Sequence, residues 1–318
     1  MSLLPQNAPL LRHTYNLEIY NIMYTSIGAL LNRTVVSIVV AAAVLVAPVQ
    51  AEETKTLVFS AIPDQDETAL KARFGKVADY LSKTLQVPVK YVPVKSYAAA
   101  VTSFRNDQVQ LAWFGGLSGV QARLLTPGAK AIAQGEEDPN FHSFIIAHHS
   151  TGLKASEDFP KEIVGKTFTF GSKGSTSGRL MPEYFIRKNL EKTPEELFKT
   201  VGFSGNHSRT VTLVESGAYE VGAVNYKVWN KMVADKTVDT SKVTALWRTP
   251  GYPDYQWTLR GDVDAKWGEG FSEKVQQALL SMDDPDLLAS FPRKSFIKAT
   301  NEDFQPILDT AKEIGILD

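Results

Sequence analysis

The chain has 318 residues, 43% of them hydrophobic, with 34 basic and 35 acidic side chains and a formal net charge of −1. That balance supplies no basic face of the size nucleic acid requires, and the length allows one large core or two smaller ones. There is no cysteine, so no disulfide framework exists and stability must come from burial.

The first recognisable segment begins at Met23. Arg33 supplies a positive charge, and Thr34 to Ala47 is an apolar run of about fourteen residues, short of the roughly twenty that span a bilayer. Val49-Gln50-Ala51 offers small residues for cleavage, and the acids Glu52 and Glu53 follow at once. This is the pattern of a secretory signal peptide. Residues 1–51 are read as that signal, with 1–22 an upstream extension ahead of a start at Met23. No cysteine follows for lipid attachment, so the mature product is expected free in the periplasm of a Gram-negative cell.

Beyond it, β-rich runs alternate with amphipathic helices. Thr56–Ala61 reads as a buried strand. Leu70, Phe74, Val77, Leu81 and Leu85 form one helical stripe. Val87–Val92 is a strand, Tyr97 to Phe104 a short helix and Val109–Phe114 a strand. Gly115-Gly116 opens another helix, and Lys130–Ala133 and Phe144–Ala147 are strands. A second series has strands at Thr167–Phe170, Val221–Val224 and Val243–Trp247. Its helices are Arg179–Asn189, Arg209–Ser216 and Asn225–Val233, with a further helix start at Thr193-Pro194-Glu195-Glu196. Gln256–Arg260 is a late strand, and Phe304, Ile307, Leu308, Ala311 and Ile314 form the last apolar stripe. The alternation implies parallel strands with helical crossovers. No Pro/Ser linker separates the two series, which suggests two lobes joined by strand-like hinges. The crossings are placed near His148 and Thr249–Pro253, giving one lobe from 52–148 and 254–318 and the other from 149–253.

The sharpest local signal is Gly171-Ser172-Lys173-Gly174-Ser175-Thr176-Ser177-Gly178-Arg179 between a strand and a helix. The first amides of a helix lack intrahelical acceptors, and its dipole favours negative charge. Three hydroxyls there exceed what a cap needs. The stretch lacks the Gly-Lys-Ser/Thr of a phosphate-binding P-loop and the Gly-x-Ser-x-Gly of a nucleophile elbow.

With Tyr97-Ala98-Ala99-Ala100-Val101, Val109 to Gly115, the Gly-Ser-Thr-Ser-Gly-Arg turn with Pro182, Gly205-Asn206-His207, Glu215 to Ala223 and Trp247 to Pro253, the chain resembles the phosphonate/phosphite-binding proteins of ABC importers. The resemblance runs through nearly the whole mature chain. It implies the α/β two-lobed type II periplasmic binding fold, each lobe a mixed sheet flanked by helices. It also implies an oxyanion held by Ser175, Thr176 and Ser177, with His207, Tyr97 and Asp254 as further ligand-binding residues. The implied partners are a membrane permease and, through it, an ATPase. No cofactor, metal or nucleic acid is implied, and a monomer is expected. Hydroxyl donors hold an anion without adding full charges to be desolvated, and a histidine can donate as well. A buried Asp254 would accept from a P–OH or an ammonium and would disfavour sulfate-like anions. Gly119 departs from the family pattern, standing where a cleft-lining tyrosine is expected. That departure raises selenate or another oxyanion as the alternative ligand, with Tyr226, Tyr255 and Trp257 as substitute aromatic walls. Two other readings are open: a Ser177–His207–Asp254 hydrolase, and a metal site at His142, His148 and His149.

Overall fold

The computed structural model describes residues 55–317, so the signal segment expected over residues 1–51 lies outside the described residues. Strand β1 (Leu57–Ala61) is buried almost throughout and leads to helix α1 (Glu67–Leu85), whose predicted stripe Leu70, Phe74, Val77, Leu81 and Leu85 is buried. Gln86 ends α1 in a left-handed conformation, its amide bonded to Ser82 O at 3.1 Å. Next come β2 (Val89–Tyr91), α2 (Tyr97–Arg105), β3 (Leu111–Phe114), α3 (Gly116–Leu124) and β4 (Lys130–Gly135).

The chain then crosses to a second sheet. It contains β5 (Ser143–His148), β6 (Thr167–Phe170), β7 (Thr200–Phe203), β8 (Val221–Asn225) and β9 (Val243–Arg248), in the order β7-β6-β8-β5-β9. The helices between them are α4 (Met181–Leu190), α5 (Pro194–Leu197), α6 (His207–Glu215) and α7 (Tyr226–Ala234). Strands β10 (Gln256–Leu259) and β11 (Phe296–Lys298) return to the first sheet, whose order is β11-β4-β10-β3-β1-β2. Helices α8 (Val263–Trp267), α9 (Phe271–Leu280), α10 (Pro285–Ser290) and α11 (Gln305–Glu313) accompany that return.

Both sheets are mixed. β1 pairs in parallel with β2 and β3, and β6 with β7 and β8, as helical crossovers demand. The strands adjoining the crossings, β5 and β10, are antiparallel to both their neighbours. In the first lobe Phe59, Phe74, Trp113, Trp257 and Phe291 interlock edge-on and tilted, with centroids 5.3–6.3 Å apart.

The first crossing differs from the expected position near His148. Ser143–His148 pairs with β8 and β9 in the second sheet, so the chain changes lobes at 136–142. Periodicity identified that strand but carries no information on which sheet it joins. The second crossing occupies 249–255, between β9 and β10. The crossings are bonded side by side: Phe141 and Tyr252 exchange backbone bonds of 2.8 and 3.0 Å, and the Asp254 amide donates to Asp138 O at 3.1 Å. Asp138 is buried and paired with buried Arg293 at 2.6 Å.

Two strands had no sequence signal. β7 is a half-exposed edge strand interrupted by Gly202, and β11 is three residues long.

Candidate functional site

Four helix starts converge where the lobes meet. Tyr97 is the first residue of α2, whose cap Ser96 accepts from the Ala99 amide at 3.1 Å. Gly116 is the first residue of α3, where the Ser118 hydroxyl accepts from the Gly115 amide at 3.1 Å. Thr176 opens a π-helical turn (176–180) that runs straight into α4 and is capped by Ser175, whose hydroxyl accepts from the Gly178 amide at 2.9 Å. The helix predicted from Arg179 thus begins three residues earlier, in a form that recurs at functional sites. His207 is the first residue of α6, with its cap Asn206 accepting from the Arg209 amide at 2.8 Å. Helix-start chemistry therefore aims each of these residues and brings a positive helix end with it, with the Gly116, Leu117 and His207 amides already taken by Asp254, Thr176 and Asp64.

The lobes are drawn together here. The Leu117 amide donates to Thr176 Oγ1 at 2.9 Å, and the His207 amide donates to Asp64 O at 3.0 Å. Glycines permit the approach. A Cβ on Gly174 would stand 3.2 Å from Tyr97 Cβ across the lobes; within the second lobe, one on Gly178 would stand 2.9 Å from Ser175 Oγ and 3.0 Å from His207 Cε1. One on Gly116 would stand 3.1 Å from Pro253 O and 3.2 Å from Thr176 Oγ1.

All six expected ligand residues, Tyr97, Ser175, Thr176, Ser177, His207 and Asp254, are at most 2% exposed. Among them Tyr97 Oη, His207 Nε2 and Asp254 Oδ2 have no hydrogen-bond partner among the described residues. Ser175 lies beside the Tyr97 hydroxyl but outside hydrogen-bond geometry. Such buried atoms are costly unless something pairs with them.

Asp254 Oδ1 accepts from the Gly116 amide at 2.9 Å. Burial raises its carboxyl to a pKa of about 7, although the Gly116 bond and the nearby Thr176 and Ser177 hydroxyls, which lie outside hydrogen-bond geometry, pull the other way. It is therefore poised to give or accept a proton near neutrality. Burial alone lowers the His207 pKa to about 3. Its Nδ1 accepts from the Asn225 amide at 3.3 Å, so the neutral ring carries its hydrogen on Nε2. Burial, with Asp64 and Asp254 nearby, holds the Tyr97 phenol well above its ordinary value. The site thus presents neutral donors from tyrosine, histidine and hydroxyls, and one carboxyl able to share a proton.

The space beside Gly119, where the family pattern places a tyrosine, is occupied. A Cβ there would come within 2.5 Å of Gln256 Nε2, so buried Gln256, bonded to Arg123, fills that space. The substitute aromatic walls are also engaged elsewhere. Tyr255 stacks on Trp113 at 5.4 Å, Tyr226 packs edge-on to Phe141 at 4.8 Å, and Trp257 sits in the first lobe's aromatic core.

The hydrolase geometry is not formed. His207 Nδ1 faces a backbone amide rather than Asp254, and Nε2 bonds no serine. His142 Nδ1 donates to Thr249 O, and His148 Nδ1 bonds Ser150; no metal-holding group of three or more His, Asp or Glu occurs among the described residues.

Sequence reasoning missed Asp64 and Asn225, both buried beside His207. Asn225 carries a readable sign, as a capping residue between a strand and a helix. Asp64 follows a strand and has none.

The family of periplasmic substrate-binding proteins of phosphonate ABC transporters matches residues 59–304. A probable ABC transporter phosphite-binding protein, PhnD1 of Prochlorococcus marinus, is 40% identical over 268 residues, which cover 82% of this chain and 90% of that protein. The solved structure of PhnD1 in complex with methylphosphonate superposes with a TM-score of 0.79, covering 83% of this chain and all of that one. A binding-protein component of an ABC phosphonate transporter from Pseudomonas aeruginosa shares the fold at 19% identity and a TM-score of 0.72, over 81% of this chain and 86% of that one.

Proposed function

The chain belongs to the phosphonate family of ABC-transporter periplasmic substrate-binding proteins, and from that premise we propose that it captures a small tetrahedral oxyanion of the phosphonate or phosphite kind between its lobes. It is a transport component, not an enzyme. The observation that carries the ligand reading is the set of buried polar atoms without partners, Tyr97 Oη, His207 Nε2 and Asp254 Oδ2, beside the Ser175-Thr176-Ser177 turn.

Each atom matches one need of such a ligand. Tyr97 and His207 donate without charge, and the hydroxyls and amides of the turn donate to further oxygens. Asp254 Oδ2 shares a proton with a P–OH, which phosphite and phosphonates carry near neutrality and sulfate does not. A ligand touching Thr176 and His207 on one lobe and Tyr97 on the other favours the closed form. The closed form then delivers the anion to the permease, with the ATPase behind it. We place the mature protein, from Glu52, as a monomer in the periplasm, exported by the segment within residues 1–51.

A thermal-shift screen of the chain from Glu52 tests this, with methylphosphonate, phosphite, 2-aminoethylphosphonate, phosphate, sulfate and selenate. Ligand at a hundred times its dissociation constant adds about 2.7 kcal/mol. Stabilisation by methylphosphonate or phosphite and not by sulfate is the expected result. Stabilisation by selenate or sulfate alone would overturn the role of Asp254, and no response to any of the six would overturn the ligand class.

A further inference from the structure

We infer that Tyr255 is a positioning residue of this site: through Asn225 and Asp64 it locks the lobes around His207 and sets how long a bound anion stays. The ligand named in the test rests on the reading above; the lock itself does not.

Asn225 is the last residue of β8 and the cap of α7. Its Oδ1 accepts from the Lys227 and Val228 amides at 2.8 and 3.1 Å. Those bonds identify the oxygen, so the NH2 group must be the end that donates to Tyr255 Oη at 2.8 Å. Having accepted there, the Tyr255 hydroxyl directs its own hydrogen to Asp64 Oδ2 at 2.9 Å. Every donor in the chain Asn225 to Tyr255 to Asp64 has one possible direction.

Both ends of that chain return to His207. The Asn225 amide donates to His207 Nδ1 at 3.3 Å, and Asp64 O accepts from the His207 amide at 3.0 Å. Asn225 and His207 belong to the second lobe, Asp64 to the first, and Tyr255 to the second crossing. The lock therefore closes only when the lobes do; the bond from the Asn225 backbone amide to the imidazole lies within the second lobe, and the His207 backbone amide carries the contact across to Asp64. Its members are nearly inaccessible to water, with Asp64 and Asn225 at 3% and Tyr255 at 2% exposure, so water cannot substitute for a lost bond without opening the lobes. Burial holds the Tyr255 phenol well above its ordinary value and keeps it a donor. Arg73 and Arg293 lie near enough to offset the charge on Asp64.

Tyr255→Phe keeps the ring that stacks on Trp113 and removes only the hydroxyl. Stopped-flow tryptophan fluorescence with methylphosphonate separates the rate constants. Loss of the two buried hydrogen bonds that this hydroxyl makes should raise dissociation at least about tenfold with association unchanged. Asn225→Asp is the second variant: it keeps the single acceptor oxygen that takes both α7 amides and lacks the donor to Tyr255, and it should also dissociate faster. Asp64→Asn, which retains an acceptor, should stay nearer wild type than Asp64→Ala. Wild-type dissociation rates in both Tyr255→Phe and Asn225→Asp would overturn the lock. A loss confined to association would overturn it too.

Because the chain has no cysteine, one cysteine introduced on each lobe takes a fluorophore pair cleanly. Energy transfer should report a larger open fraction for Tyr255→Phe without any anion. If wild type bound neither methylphosphonate nor phosphite, the ligand reading would fail while this measurement still judged the lock; an unchanged open fraction would sink it.

Discussion

Asp254→Asn separates charge from shape at the centre of the site. An asparagine can keep its oxygen toward the Gly116 amide, where Oδ1 now accepts at 2.9 Å. That turns its NH2 toward the position of Oδ2, the carboxylate oxygen with no partner among the described residues. A ligand P–OH would then meet a donor instead of an acceptor. The loss is one hydrogen bond to a charged group, about 1.5–3 kcal/mol, or roughly ten- to hundredfold in affinity for methylphosphonate. Sulfate, offering only acceptors, should gain from the same change. Wild type adds a pH signature. The carboxyl has a pKa of about 7, raised by burial, so below that value the site holds the proton that ligand and protein share. Above it the proton must be taken from solvent, and affinity should fall by up to about tenfold per pH unit, since each unit is 1.36 kcal/mol. In Asp254→Asn the fall attributable to this carboxyl disappears. Isothermal titration with methylphosphonate and sulfate, on either side of neutrality, reads all three effects. A variant that binds methylphosphonate as tightly as wild type and still rejects sulfate would refute the reasoning.

Three further perturbations test other parts of the site. His207→Gln retains a donor and should bind methylphosphonate more tightly than His207→Ala, which also strands the Asn225 amide and opens a cavity; titration of the two variants checks the order. Because His207 is depressed to about 3, its contribution to stability is complete above about pH 6.5 and is lost as pH falls toward 3, by about 1.4 kcal/mol per unit. Acid melts should therefore be shallower for His207→Gln. Gly116→Ala places a methyl 3.1 Å from Pro253 O and 3.2 Å from Thr176 Oγ1, and such overpacking costs about 1–3 kcal/mol. The clash with Thr176 should appear as weaker binding and a more open form in small-angle scattering, and that with Ile307 Cγ1, 3.2 Å away in the same lobe, as a lower melting temperature. Asp138→Ala leaves buried Arg293 unpaired, and breaking such a pair typically costs about 3–5 kcal/mol; urea denaturation should show that loss, and unchanged stability would remove the pair from the hinge's support.

Local chemistry was the legible part of the sequence. The stripe of α1, the strand Thr167–Phe170 and the capping box at Thr193 and Glu196 lie where periodicity and capping rules put them. Five of the six proposed ligand positions, Tyr97, Ser175, Thr176, Ser177 and His207, stand at helix starts, while Asp254 lies on the second crossing. Short motifs mark helix starts, and here helix starts are what most of the site is made from. Long-range pairing was hidden. Nothing in Ser143–His148 says which sheet it enters, and nothing beside Gly119 says that Gln256, 137 positions later, occupies the room. Asp64 and Tyr255 were missed as partners because their bond spans 191 positions. β7 and β11 were silent because an edge strand with a glycine and a three-residue strand offer little alternation to detect.

The bonded pair of crossings has a kinetic meaning. Asp254 sits on the second crossing, tied by its own amide to Asp138 on the first. A pivot travels least when two bodies rotate, so this carboxyl occupies nearly the same place at every stage of the swing. In the role proposed for it, Asp254 would therefore pose its question to an anion, whether a proton can be shared, at first contact, and ions that cannot share one would be turned away while the cleft is still wide.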